Sequence, residues 1–325
     1  MDVPPVPQFL ARLMRGVSSE EVELGLSGLC EQGKVASTSV PVVTYTAGPV
    51  DADLTVVFVH GFTLAADCYF LQVEHLVKNH PEVRSVLLDL RGHGRTGEVP
   101  PEQCTIEGSA QDVLSVIDEL VPNGKIILVG HSLGGHVVLN AIRTCSDEIF
   151  QRLAGVVLIA TSIDSLSAQG VPRLLTTKLA DEVYGRMAST PEAVAKLRQD
   201  IGKMLAPALA AMVFKRISTP YNLVKFHAQM INDTPLATFI GYFDDLETHS
   251  EVAAAERLSQ LPGYVLVGDD DHVTPLSQSK RILELWPNAQ LRDCDRCGHM
   301  MILEAPELVN EVLDELIESV KKPRC

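Results

Sequence analysis

Five short apolar runs, Thr55 to Val59, Ser85 to Leu90, Lys125 to Val129, Ala154 to Ala160 and Gly263 to Val267, recur along the chain and narrow the folds open to it. Each is rich in Val, Ile and Leu and bounded by glycine or polar residues, as strands buried on both faces of a parallel sheet are. Segments of helical period lie between them. Ala110, Val113, Leu114, Ile117 and Leu120 share one helix face; Leu308, Val312, Leu313, Leu316 and Val320 share another, entered through Pro306. Repeated strand-then-helix order predicts an α/β fold, a mostly parallel central sheet flanked by helices with right-handed crossovers.

The alternation stops after Thr161. From about Asp164 to Asn232 there is no comparable strand, and Thr190-Pro191 and Thr219-Pro220 mark helix starts. This span reads as a helical lid inserted into the core, which resumes with a helix near Thr234-Pro235. The expected organisation is an N-terminal extension over residues 1–36, a core over 37–163 and 233–325, and a lid over 164–232.

A net charge of -15 gives an acidic surface that repels phosphate backbones and anionic headgroups, so nucleic acid is excluded as a partner. No run reaches the roughly 18 apolar residues of a membrane span. The first twenty residues carry Asp2, Pro4 and Pro5 where a secretion signal needs a basic start and an apolar stretch. A cytoplasmic location is expected. The odd count of 7 cysteines does not describe a disulfide framework. Cys294 and Cys297 form a CxxC, but no second pair of ligands completes a zinc site, so both are expected to be incidental thiols.

The segment VGHSLGG, Val129 to Gly135, follows one apolar run and precedes a helical pattern. A serine on a sharp strand-to-helix turn projects its hydroxyl out of the sheet, and crowding there favours glycine two residues before and after it. Gly130 and Gly134 fill those positions around Ser132. The amide of Leu133, opening the new helix, is then free to donate to a developing oxyanion.

With these motifs the chain resembles the α/β-hydrolases from about Val42 to Val320. The resemblance implies further roles. In VVFVHGF the Phe62 amide would be the second oxyanion donor. VLVGDDDHVTP matches a GxxDxxxP loop and places the orienting acid at Asp271, with Asp270 and Asp164 as the alternatives. CGHMMILEAPE matches GHxxxLExPE and makes His299 the general base, leaving His60 and His131 as structural neighbours. The loop LDLRGHGRTG resembles the family's DxRGxGxS, with Thr96 where serine is commoner.

The implied chemistry is attack of Ser132 on an acyl carbonyl, with His299 accepting its proton and Asp271 holding the imidazole. The acyl-serine is then hydrolysed, and no metal or organic cofactor is needed. A small-molecule acyl ester is the expected substrate. A carbon–carbon bond hydrolase, thioesterase, acyltransferase or cofactor-free perhydrolase would use the same triad, and a non-catalytic binding protein is the remote alternative. Gly92, Gly94 and Gly97 have dinucleotide-binding spacing, yet Pro100-Pro101 follow where a helix should open. Met204 to Phe214 is apolar all round. Leu209, Met212 and Val213 are therefore candidate substrate-binding residues, with packing inside the lid as the alternative.

Overall fold

The computed structural model describes residues 24–36, 39–165, 213–216 and 218–321. Its centre is an eight-stranded sheet in the order β1-β2-β4-β3-β5-β6-β7-β8. The strands are β1 (Glu31–Val35), β2 (Val42–Ala47), β3 (Leu54–Val59), β4 (Arg84–Leu88), β5 (Lys125–His131), β6 (Leu153–Ile159), β7 (Gly263–Gly268) and β8 (Ala289–Cys294). The pairs β1–β2 and β2–β4 are antiparallel and all the others parallel. The five apolar runs are β3 to β7.

Three strands were not foreseen. The residues of β1 run exposed until Val35, and those of β8 are mostly part-exposed, as edge strands are. Their sequences, EQGKV and AQLRDC, lack the apolar signature because solvent takes one side of each. β2 is buried but reads VVTYTA, its threonines breaking the apolar run. β1 falls within the span 1–36 and pairs with β2 from Glu31 onward, so the sheet begins before residue 36.

The longer described helices are α1 (Phe70–Asn79), α2 (Ile106–Leu120), α3 (Leu133–Thr144), α4 (Tyr221–Asp233), α5 (Leu236–Thr248), α6 (Leu276–Leu285) and α7 (Pro306–Lys321). Strand residues alternate between two apolar layers. Val56, Phe58, Ile127, Val129 and Leu266 meet Leu76 of α1 and Val312, Leu313 and Leu316 of α7. Val57, Val59, Leu128 and Val265 meet Val113 of α2, Val138 and Ile142 of α3 and Ile282 of α6. Covering both faces leaves the edge at the C-terminal strand ends, where the loops after β3, β5, β7 and β8 converge, as the place for a site.

Thr219-Pro220 precedes α4 and Thr234-Pro235 precedes α5, as expected of helix starts. Within the span 164–232, α4 sets Leu223 and Val224 into the first layer and stacks Phe226 on Phe70 at 5.7 Å. Residues 166–212 of that span, with Leu209 and Met212, lie outside the described residues, as do residues 1–23. Among the described residues no helix is long and apolar enough to cross a membrane.

The buried face of α7 gives a direct check on this layering. Leu313→Ala removes a fully buried side chain and should lower the unfolding free energy by about 2–5 kcal/mol. Val50→Ala, at a position 76% exposed, should stay within about 0.5 kcal/mol. Urea denaturation of the two variants measures both.

Candidate active site

Between β5 and α3 the backbone reverses at Ser132, which takes φ 53° and ψ -120°. A non-glycine residue there is strained, by about 1–3 kcal/mol, so its surroundings must hold it. The Ser132 amide donates to Ile159 O (2.9 Å), while its carbonyl accepts from the Thr161 hydroxyl (2.7 Å) and the Gly135 amide (2.8 Å). Close packing sets the glycines: a Cβ on Gly134 would lie 2.1 Å from Val59 O, and one on Gly130 would lie 2.5 Å from Gly134 O. The turn thus exists only where the helix start can press against two strands.

The Ser132 hydroxyl lies 2.9 Å from His299 Nε2, and His299 Nδ1 lies 2.9 Å from Asp271 Oδ2. Asp271 follows β7 and its carboxylate is saturated with donors. Oδ1 accepts from the amides of Val273 (2.8 Å) and Thr274 (3.0 Å), and Oδ2 from the Thr274 hydroxyl (2.8 Å). Burial raises the Asp271 carboxyl, but the charge on His299 and the hydrogen bonds from His299 and Thr274 outweigh it and hold it at about 2. With Asp271 an acceptor only, His299 Nδ1 must donate, which leaves Nε2 to accept the serine proton.

Two other histidines flank His299 without competing for that proton. His131 donates from Nε2 to His299 O (2.9 Å) and fixes the loop. Burial first, and then the charge on His299, push both His131 and His227 down to about 3. They stay neutral at any pH where an ester assay is run. The Val213 carbonyl accepts from the His299 amide (2.9 Å), bringing residues 213–216 against the same loop.

The loop after β3 completes the site. Gly61 sits so near the turn that a Cβ on it would be 3.1 Å from Ser132 Cβ. His60 ties this loop down, donating from Nδ1 to Gly61 O (2.8 Å) and accepting at Nε2 from the Leu90 amide (3.0 Å). The Phe62 ring packs edge-on against Phe239 at 5.2 Å. Phe62 follows Gly61 directly. Leu133 is the first residue of α3, so its amide has no acceptor within the helix. The arrangement could support attack of the Ser132 hydroxyl on a carbonyl.

The model of the alpha/beta hydrolase family matches residues 56–312. This chain belongs to that family. It is 23% identical over 272 residues to a monoacylglycerol lipase (ABHD6) of Bos taurus, covering 82% of this chain and 76% of the relative. It is 24% identical over 263 residues to a pheophorbidase of Raphanus sativus, covering 80% and 92%. Among solved structures, a thermophilic esterase from Thermogutta terrifontis superimposes with a TM-score of 0.69 at 24% identity, covering 90% of this chain and 100% of that one. The fold is the α/β-hydrolase fold.

Of the residues singled out in sequence, Ser132, Asp271 and His299 come together, with Phe62 and Leu133 beside them. The rival carboxylates point elsewhere: Asp270 Oδ1 meets His272 (3.0 Å) and Asp164 meets Arg281 (3.3 Å). The glycines of the DxRGxG loop form a turn after β4, not a helix start. In that loop Asp89 accepts from the Ala66 and Arg95 amides and the Tyr45 hydroxyl. Cys294 and Cys297 are both buried free thiols. Sequence reading passed over Thr161, Thr274 and Glu304. Glu304 accepts from the Gly298 amide (2.8 Å) and from the Lys215 and Arg216 amides, joining the histidine loop to residues 213–216. Its signal was available, since it is the glutamate of the GHxxxLExPE motif.

Asp271 links stability to acid. Its value in the folded state lies below the ordinary 3.8, so its stabilisation is complete above that pH and is lost as pH falls toward about 2. Asp271→Asn abolishes this proton linkage. Unfolding free energies from urea titrations at several pH values should fall less steeply between 3.8 and 2 in the variant than in the wild type.

Proposed function

We propose that this chain is a serine hydrolase that cleaves a small to medium acyl ester through an acyl-serine intermediate. The observation that carries the reading is the continuous relay from the Ser132 hydroxyl through His299 to Asp271. Serine at its ordinary pKa is a weak nucleophile, so His299 takes its proton as the bond to the carbonyl carbon forms. Asp271 holds the tautomer and stabilises the imidazolium. The Phe62 and Leu133 amides receive the oxyanion, helped by the positive end of α3. His299 then returns the proton to the leaving alcohol, and a water activated by the same imidazole releases the acid.

Ester cleavage is favoured by the relatives, a lipase and an esterase among them. Phe62 directly follows Gly61, at which a Cβ would lie 3.1 Å from Ser132 Cβ, and the carbonyl of Val213 accepts from the His299 amide. An acyl chain would rest on these groups, with the lid residues Leu209 and Met212 as further candidates. Each methylene buried in the transition state is worth about 0.8 kcal/mol, close to fourfold in kcat/KM. Metal and organic cofactors have no step in this scheme.

A panel of p-nitrophenyl esters of graded acyl length tests the reading. The wild type should turn them over with an optimum at short to medium length. Ser132→Ala should lose on the order of 10³-fold or more in kcat and Asp271→Asn roughly 10⁴-fold, both with unchanged folding by circular dichroism. Asp270→Asn, whose carboxylate faces His272, should stay within a few-fold. A folded Ser132→Ala enzyme with most of its activity would defeat the proposal.

A further inference from the structure

Far from Ser132, two histidines converge on a single carboxylate oxygen. His75 lies in the last turns of α1, His80 caps its C-terminus, and Asp314 projects from α7, which packs alongside. His75 Nε2 is 2.7 Å and His80 Nε2 2.8 Å from the same atom, Asp314 Oδ1. The three potential ligand atoms all lie within 4.8 Å of one another. His80 precedes the first residue of β4, Arg84, by one short turn, so the cluster sits at the edge where the parallel strands begin. Ser132 sits at the edge where they end.

We propose that His75, His80 and Asp314 form a binding site for one divalent cation of the zinc class, clipping the end of α1 to α7. Two imidazoles and one carboxylate are a borderline donor set that suits zinc, cobalt or nickel better than calcium or magnesium, which take all-oxygen shells. Zinc binds imidazole nitrogen and carboxylate oxygen at about 2.0–2.2 Å, so tetrahedral ligands stand about 3.3 Å apart. The two nitrogens therefore need to retreat from Asp314 by about half an ångström and to stand about 3.3 Å from each other, from a separation that is already within 4.8 Å. Each imidazole moves its proton to Nδ1 and offers the Nε2 lone pair to the metal.

The surroundings supply what such ligands need. His80 Nδ1 faces Glu82 Oε1 at 3.7 Å, a carboxylate that a small rotation of the ring would bring within reach of the relocated Nδ1–H. His75 Nδ1 lies 3.1 Å from the Asn79 side-chain amide, whose oxygen can take the nitrogen's place by a flip. Lys321 Nζ donates to His80 Nδ1 at 3.4 Å and must give up that contact when Nδ1 takes the proton, keeping its pairs with Glu82 and Glu318. Glu82 and Glu318 outnumber this ammonium two to one, and Asp314 adds a third carboxylate to the cluster, an excess of negative charge. The C-terminal end of α1 adds its own negative potential at His80. Asp314 is 39% exposed at its side chain, so water can fill the fourth position.

The test is isothermal titration of the chelator-treated full chain with zinc chloride, run beside His80→Gln and Asp314→Asn. The wild type should take up one equivalent with an affinity on the order of micromolar or tighter, weaker than four-ligand structural zinc. Each variant should bind at least about tenfold more weakly. Cobalt(II) should give the visible absorption of a tetrahedral site in the wild type only. Zinc should raise the melting temperature of the wild type and leave that of the variants unmoved, a readout independent of any hydrogen bonds the substitutions cost. Ester turnover by the apo variants should match that of the apo wild type. Absence of binding by the wild type, or equal uptake by both variants, overturns the proposal.

Discussion

Close approach of backbone to backbone at the start of α3 governs this molecule. Ser132 can hold a positive φ only because Ile159 O, Thr161 and Gly135 all bond to its peptide groups. Those contacts require α3 to press against β3 and β5 at a separation that no Cβ on Gly130 or Gly134 would permit. The strain at one residue is thus sustained by the packing of a whole layer. The same crowding brings Gly61 against the serine.

Around that fixed turn, each partner arrives from a separate strand end. The Asp271 carboxylate is held by amides of its own loop, and the backbone of His299 by the carbonyl of Val213 and the ring of His131. The two loops are anchored separately, and the hydrogen bond from His299 Nδ1 to Asp271 then orients the imidazole. The relay's electrostatics follow the same division, with one ionised carboxylate, one imidazole able to accept, and two neighbouring histidines kept neutral by burial.

The strands at the centre of the sheet were legible because burial on both faces forces continuous Val, Ile and Leu. β1 and β8 were not, since an edge strand needs no such composition, and the threonines of β2 hid it in spite of its burial. Ser132, Asp271 and His299 could be read because short motifs surround each of them. The GxxDxxxP register favoured Asp271 over Asp270, one residue away, and in the structure it is Asp271 that bonds to His299 while Asp270 meets His272. Contacts between distant segments left no local trace. His75 and Asp314 meet across 239 positions, and Asn140 donates to Glu251 across 111.

The central claim is that Ser132 is a nucleophile activated through His299. Reaction of the purified protein with a fluorophosphonate, followed by mass mapping of the peptides, tests it most directly. The account predicts one phosphonyl adduct per chain, on the peptide carrying Ser132, formed rapidly at neutral pH and suppressed in a folded His299→Ala variant. A folded wild type that stays unlabelled, or an adduct that maps to another residue, would contradict it.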